Sequence, residues 1–251
     1  MFQRLTLLLT ATLLSCSAFA SGELNVYSSR QEQLIAPLIE QFSKQTGIVV
    51  NVVTGKDDAL IERLRIEGRN SPADLLWTAD AGRLHRAKSQ GLLQPIESEV
   101  LEAVIPAHLR DADQQWFGLT TRARPIMYAR DRVDPAELST YEALADPKWK
   151  RRICVRSSDN IYNQSLVAAM IEHLGEERTE AWARGLVANF ARPPAGGDRE
   201  QISAVAAGVC DFAIANTYYL GGMLKSPNAA DRLAAEKVAV FWPYLDGSGT
   251  L

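Results

Sequence analysis

No stretch of the 251-residue sequence is apolar for long enough to cross a bilayer as a helix. The best run, Leu5 to Leu14, falls far short of the roughly 20 residues that a span needs, so a helical membrane anchor has no candidate segment. An excess of basic charge is missing too. Lys and Arg number 27 against 30 Asp and Glu, for a formal net charge of −3. The basic residues are scattered, which argues against nucleic acid as a partner. Histidine is scarce, with His85, His108 and His173 the complete set. No G-x-S-x-G, H-E-x-x-H or P-loop accompanies them. They fall on predicted helices or in a linker, where a solvated or packed side chain is the ordinary reading. With Asp80 the remaining candidate acid or base, an enzyme is not expected. Cysteine is scarce as well, at Cys16, Cys154 and Cys210.

What is present begins with a leader. Arg4, the apolar run after it and the small-residue pattern Ala18-Phe19-Ala20 predict a secretory signal peptide over residues 1–20, cleaved before Ser21. Leu13 and Ser15 suit a lipoprotein signal ending at Cys16, but Leu14 is too bulky, so simple cleavage is expected. Export places Cys154 and Cys210 in an oxidising compartment that permits a disulfide. Two small buried residues are the competing reading. The remainder is long enough for one large domain or two.

From Glu23 the chain alternates like a strand. Leu34, Ile35, Leu38, Ile39 and Phe42 then recur at helical spacing until Gly47. A β-branched strand over 48–53 follows, then a helix with Leu60, Ile61 and Leu64 on one face, then a strand ending at Trp77 and a helix from Gly82 to Gln90. This is the rhythm of an α/β unit with a mainly parallel sheet, whose ligands bind at the carboxyl ends of strands. That rule points to Ser28 to Gln31, Thr54-Gly55 and Thr78 to Asp80. Residues 116–128, WFGLTTRARPIMY, read as an extended segment crossing between domains. A second α/β unit follows. It has a helix around 141–144, a strand over 152–155, helices over 162–174, 177–190 and 199–207, a strand over 212–215 that runs into NTYYLGG, and a strand over 238–241.

Two stretches carry possible chemistry. Tyr218 and Tyr219 are adjacent, and on a regular strand they would point to opposite faces. They converge only if the strand ends there and the backbone turns, as Asn216, Gly221 and Gly222 permit. A phenol ionises near pH ~10, so it ligates only a cation that displaces its proton. Two converging phenols suit hard ferric ion better than soft metals, and Mg or Ca prefer carboxylate and carbonyl. Rings packed at a strand end are the competing reading. The second stretch is RSSDNIYNQSL, where a strand meets a helix. Ser157 to Asn160 can cap that helix, and Tyr162 falls in its first turn, at an end that favours anions.

RSSDNIYNQSLVA and AIANTYYLGG closely resemble the periplasmic ferric-ion-binding proteins of bacterial iron ABC transporters, in the transferrin-like, periplasmic-binding-protein class. NVYSSR, PADLLWTADAGRL, GLTTRARPIMY and DPKWKRRICVRSS resemble the same family in the same order. The resemblance implies a two-lobed α/β periplasmic-binding-protein fold with a ligand cleft between the lobes. It implies lobes over 21–121 and 122–251, with 116–128 and 238–251 as crossing segments. Carried over by motif, Tyr162, Tyr218 and Tyr219 are the implied ferric ligands. Ser158, Asn216 and Arg124 are implied contacts of a synergistic anion, carbonate or another. Arg122 shares with Arg124 the role of balancing negative charge, unless either makes an inter-lobe ion pair. The family's histidine position holds Gln31, and its glutamate position holds Ala79 beside Asp80. The implied site is therefore three tyrosines completed by anion or water, with Asp80, Glu32 and Tyr27 as weaker candidates from the first lobe. Cys154 and Cys210 lie on strands leading into the two tyrosine motifs, so a disulfide between them would stiffen the ligand loops.

The family continues past the stretch resembled by AVFWPYLDGSGT, so a C-terminal truncation is expected. The implied function is capture of ferric iron in the periplasm by a monomer and delivery to an inner-membrane ABC permease. A protein of the same fold that binds a small organic anion or polyamine, with Trp77, Trp116 and the arginines lining its cleft, is the alternative.

Overall fold

The computed structural model describes residues 22–245 and 248–249. The expected leader, its cleavage point and Cys16 lie outside the described residues, as do the last two residues of the chain. The chain divides into two compact units, one ending at Ala79 and the other starting at Asp80. The expected lobe boundary at 121/122 falls inside the second unit.

The first unit is the βαβαβ motif read from the hydrophobic pattern. Its strands are β1 (Glu23–Ser28), β2 (Val49–Thr54) and β3 (Leu75–Trp77), and its helices are α1 (Glu32–Thr46) and α2 (Asp57–Glu67). The sheet is parallel in the order β2-β1-β3, with Tyr27 opposite Val53 and Leu76. Gly47 ends α1 at φ 74°, a left-handed value that glycine adopts without strain, and its N–H returns to the Ser43 carbonyl. Leu60, Ile61 and Leu64 of α2 are buried, as are Val26 of β1 and Ile35 of α1. Tyr27 is wholly buried, and its hydroxyl donates to the Glu67 carboxylate at 2.9 Å. The oxygen of this weaker ligand candidate is thus engaged by Glu67 within the first unit. At the carboxyl edge of this sheet, Asp57 accepts from the hydroxyls of Ser29 and Thr78 and from the Ala79 N–H. It thereby ties together the loops after β1 and β3.

The second unit opens with α3 (Ala81–Ser89) and α4 (Glu99–Val104). A four-stranded sheet follows, with β4 (Ile126–Ala129), β5 (Ile153–Cys154), β6 (Phe212–Ile214) and β7 (Val238–Phe241) in the order β5-β6-β4-β7. Strands β5 and β6 are parallel, and β4 is antiparallel to both β6 and β7. Helices α5 (Ile161–Leu174), α6 (Glu176–Ala188), α7 (Asp198–Ala206), α8 (Thr217–Leu224) and α9 (Ala229–Glu236) cover it, and a short hairpin of β8 (Tyr244–Leu245) and β9 (Ser248–Gly249) comes last.

Side chains alternate along a strand, and that alternation sorts this core into two layers. Ile126, Ile153, Phe212 and Ile214 face a cluster with Trp149, Met170, Trp182 and Leu186. Met127, Cys154, Ala213 and Ala215 face another with Ile202, Val205, Leu220 and Met223. Burial on both faces explains why these strands read as continuous apolar runs. Cys154 and Cys210 form a disulfide in the second layer, with Cα atoms 5.9 Å apart.

Three expectations are corrected. The extended reading of 116–128 reduces to β4, whose first residues are Ile126 to Tyr128, and an isolated bridge between Arg110 and Phe117. The helix around 141–144 is a short 3-10 turn over Glu142–Ala145. The strand ending in NTYYLGG stops at Ile214, and residues 217–224 are helical, with Gly221 and Gly222 inside the helix rather than at a turn.

Candidate metal site

The positions of the tyrosines follow from the topology. Parallel neighbours β5 and β6 have their carboxyl ends on one edge of the sheet, and the helices that follow them, α5 and α8, both begin there. Tyr162 is the second residue of α5 and Tyr218 the second of α8. Asn160 caps α5, its side-chain oxygen accepting the Tyr162 N–H at 3.0 Å. Asn216 sits at the cap position of α8 with extended backbone.

The Tyr218 and Tyr162 hydroxyls lie 3.4 Å apart. The Tyr219 ring packs on Tyr218 with centroids 4.3 Å apart and planes tilted by 35°. The helical turn thus replaces the turn at glycine that would have let two adjacent phenols converge. Tyr218 keeps 42 % of its surface exposed, while Tyr219 leans on the α7–α8 core layer.

Positive charge surrounds the Tyr162 ring. The guanidinium carbons of Arg122, Arg156 and Arg124 are 5.0, 5.7 and 5.9 Å from its centroid. Arg122 faces Asp80 at 3.6 Å. Arg124 is buried and donates to Asp198 at 2.7 Å, to the Asn216 side-chain oxygen at 3.1 Å and to Asn163 at 2.6 Å. Arg156 donates to the other oxygen of Asp198 at 3.2 Å. Arg122 Nη1, Arg124 Nε and Arg156 Nε are buried and meet no acceptor among the described residues.

Burial raises the Tyr162 hydroxyl above the ordinary phenol range, with the bond to Tyr218 adding to it and Arg122 acting against it. Burial raises Tyr218 as well, and Tyr219 also acts upward on it. Burial alone would lower Arg122, but the charges of Tyr162, Tyr218 and Asp80 outweigh it and hold Arg122 up. At neutral pH the site is therefore two close, protonated phenols under fixed cations. It can take a ligand that displaces the phenolic protons or one that accepts the unpartnered N–H groups.

Of the residues expected from sequence, Tyr162, Tyr218, Tyr219, Asn216 and Arg124 come together. Asn216 donates to the Tyr218 oxygen at 3.4 Å. Ser158 stands apart on the exposed turn before α5, its carbonyl accepting from Gln164. Asp80 takes the Ser165 hydroxyl at 2.5 Å and caps α3 through the Gly82 N–H. His85, His108 and His173 are all exposed. Among the described residues no group of three or more His, Cys, Asp or Glu could hold a metal. Arg156 and Asp198 escaped the sequence reading. Arg156 heads the very stretch read for Tyr162, and Asp198 follows Gly196-Gly197 at a helix start, but a guanidinium ligates no metal, both Asp198 oxygens are taken by N–H donors, and only the tertiary fold connects the two residues.

The model of the family described as bacterial extracellular solute-binding protein matches residues 27–245. Iron uptake protein A1 of Synechocystis is 53 % identical over 91 % of this chain, which spans 63 % of that protein's length. Iron uptake protein A2 of the same organism is 48 % identical over 98 % of this chain, which spans 69 % of it. A solved Trichodesmium protein (IdiA, FutA) in complex with iron and citrate ligands superposes with a TM-score of 0.88 at 52 % identity, covering 91 % of this chain and 72 % of that one. The fold is thus that of the two-lobed α/β periplasmic-binding class. The chain belongs to the bacterial extracellular solute-binding protein family.

Proposed function

We propose that this chain is a periplasmic protein that captures ferric iron through the phenolates of Tyr162, Tyr218 and Tyr219 and delivers it to an inner-membrane ABC permease. The observation that carries this reading is the 3.4 Å approach of the Tyr162 and Tyr218 hydroxyls under three guanidinium groups. The iron named for its Synechocystis and Trichodesmium relatives supports it. Lobes over 21–121 and 122–251, linked through 116–128 and 238–251, would give the protein a loaded and an unloaded form for the permease to tell apart.

Ferric ion brings three positive charges, and three phenolates would neutralise them after releasing their protons. Arg122, Arg124 and Arg156 would offset the negative charge on the oxygens while the ion enters and leaves. Of the expected anion contacts, Arg124 and Asn216 already hold each other. Carbonate or another small oxyanion would therefore be met by the unpartnered N–H groups of the arginines, with Ser158 at the rim.

The test is a visible titration of the purified protein with chelated ferric ion. A phenolate-to-iron charge-transfer band that saturates at one equivalent, and is lost when Tyr218 and Tyr219 are both changed to Phe, is the expected result. A cooperatively folded protein that gives no band would refute the reading and favour a small organic solute.

A further inference from the structure

Asp198 opens α7 and brings neither phenol nor imidazole to the site, yet its side chain is fully buried. Both of its oxygens are engaged. Oδ2 accepts from Arg124 Nη1 at 2.7 Å and from the Asn216 backbone N–H at 2.9 Å. Oδ1 accepts from Arg156 Nη1 at 3.2 Å. A buried carboxylate is costly to desolvate and persists where several donors converge on it. These donors come from separate stretches of chain: the segment before β4, the loop after β5 and the residue that starts α8. Arg124 and Arg156 also lie over the Tyr162 ring, and Asn216 begins the turn that presents Tyr218 and Tyr219.

We propose that Asp198 is the positioning residue of the tyrosine cluster: by holding Arg124, Arg156 and Asn216 to one carboxylate, it sets the separation of the Tyr162 and Tyr218 hydroxyls. What that separation serves rests on the ferric reading above, whereas the positioning is a property of the iron-free protein.

The chemistry of the carboxylate supplies a selective variant. Asp198→Asn replaces one acceptor oxygen by a donor NH2 group. The remaining oxygen can keep Arg124 and Asn216, or it can keep Arg156, but it cannot keep both. The NH2 group then faces a guanidinium, donor to donor. Arg156, held by the longest of the three bonds, is the one expected to let go, and the environment of Tyr162 changes with it.

Iron-free wild type and Asp198→Asn are compared by NMR with carbon-labelled tyrosine rings, assigned through Tyr162→Phe and Tyr218→Phe. Both proteins are then titrated with ferric citrate. The Tyr162 and Tyr218 signals are expected to move in the variant while that of Tyr27 stays, and ferric affinity is expected to fall by at least about tenfold. If the variant only melts earlier, with the Tyr162 and Tyr218 signals in place, the positioning role is overturned. If wild type binds no iron, the ferric reading fails, and the iron-free comparison still decides the role of Asp198. If Asp198→Asn does not fold, Asp198→Glu keeps the charge and lengthens the side chain by one methylene. The same two signals are then expected to move, and their staying put would overturn the proposal.

Discussion

Changing Tyr218 to Phe removes one oxygen from a side chain that keeps 42 % of its surface exposed. Ferric affinity should fall by at least roughly tenfold, ~1.4 kcal/mol. Stability should move by no more than about 0.5 kcal/mol, as for other exposed sites. Chelator competition and urea unfolding on the same preparation separate the two effects. Asp198→Ala should lower stability as well as ferric affinity. It leaves the buried Arg124 and the partly buried Arg156 without their counter-charge, and breaking a buried pair costs on the order of 3–5 kcal/mol, readable as a lower unfolding midpoint. The pH dependence also has a definite sign. Burial raises the hydroxyls of Tyr27, Tyr141, Tyr162 and Tyr218 above the ordinary phenol value. Folded protein then holds these protons to higher pH than unfolded chain does, so their contribution is complete below pH ~10 and is lost as the pH climbs beyond it. Urea midpoints of the iron-free protein should fall at alkaline pH; midpoints that rise there would contradict the assignment. Tyr162, Tyr218 and Tyr219 stood out in the sequence through the family resemblance of two short motifs, since the residues alone left packed rings as a competing reading, and the fold brings the Tyr162 and Tyr218 hydroxyls within 3.4 Å. Asp198 and Arg156 did not stand out, because a carboxylate and a guanidinium acquire this role only when β5, β6 and the start of α7 meet in the fold.

Strand order does more for the site than any single contact. Adjacent parallel strands β5 and β6 bring the first turns of α5 and α8 to one edge, and the Cys154–Cys210 disulfide ties the same two stretches together. It closes a loop across a sequence separation of 56 residues. Chain-entropy reasoning gives about 4 kcal/mol for a loop of that size. Replacing both cysteines by serine should lower the unfolding free energy by a large part of that amount, and denaturant unfolding beside the parent protein measures it. A second test lies in α6. A Cβ at Gly185 would come 2.7 Å from Ala145 Cβ and 2.9 Å from the Ala145 carbonyl oxygen. Alanine favours a helix by ~1 kcal/mol over glycine, but overpacking against backbone costs about 1–3 kcal/mol. Gly185→Ala should therefore destabilise the protein despite its better helix propensity, and a raised melting temperature would contradict the packing shown here. Periodicity revealed α1, α2, α5, α6 and α7, whose apolar residues recur over several turns. It missed α4, α8 and α9, which are six to eight residues long. In α8, Gly221 and Gly222 looked like a turn, but packing of Leu220 and Met223 into the core outweighs the low helix propensity of glycine.

The α/β rhythm in each half was legible for the chain as a whole, because strands buried on both faces leave apolar runs between helical patterns. The place where compactness divides the chain, between Ala79 and Asp80, was not, since no proline- or glycine-rich linker marks it. The molecule should also report its cargo through its melting temperature. A ligand that binds only the folded protein adds about 2.7 kcal/mol of stability at one hundred times its dissociation constant. Ferric ion should raise the melting temperature, whereas magnesium and calcium, which prefer carboxylate and carbonyl oxygen, should leave it unchanged. Resonance Raman spectroscopy of the ferric-loaded protein, excited in its visible band, bears on the proposed ligands directly. Tyrosinate ring modes, diminished in Tyr162→Phe and again in Tyr218→Phe, are the result predicted for iron held by these phenolates. An iron-loaded protein whose spectrum lacks tyrosinate modes would show that the metal is held elsewhere.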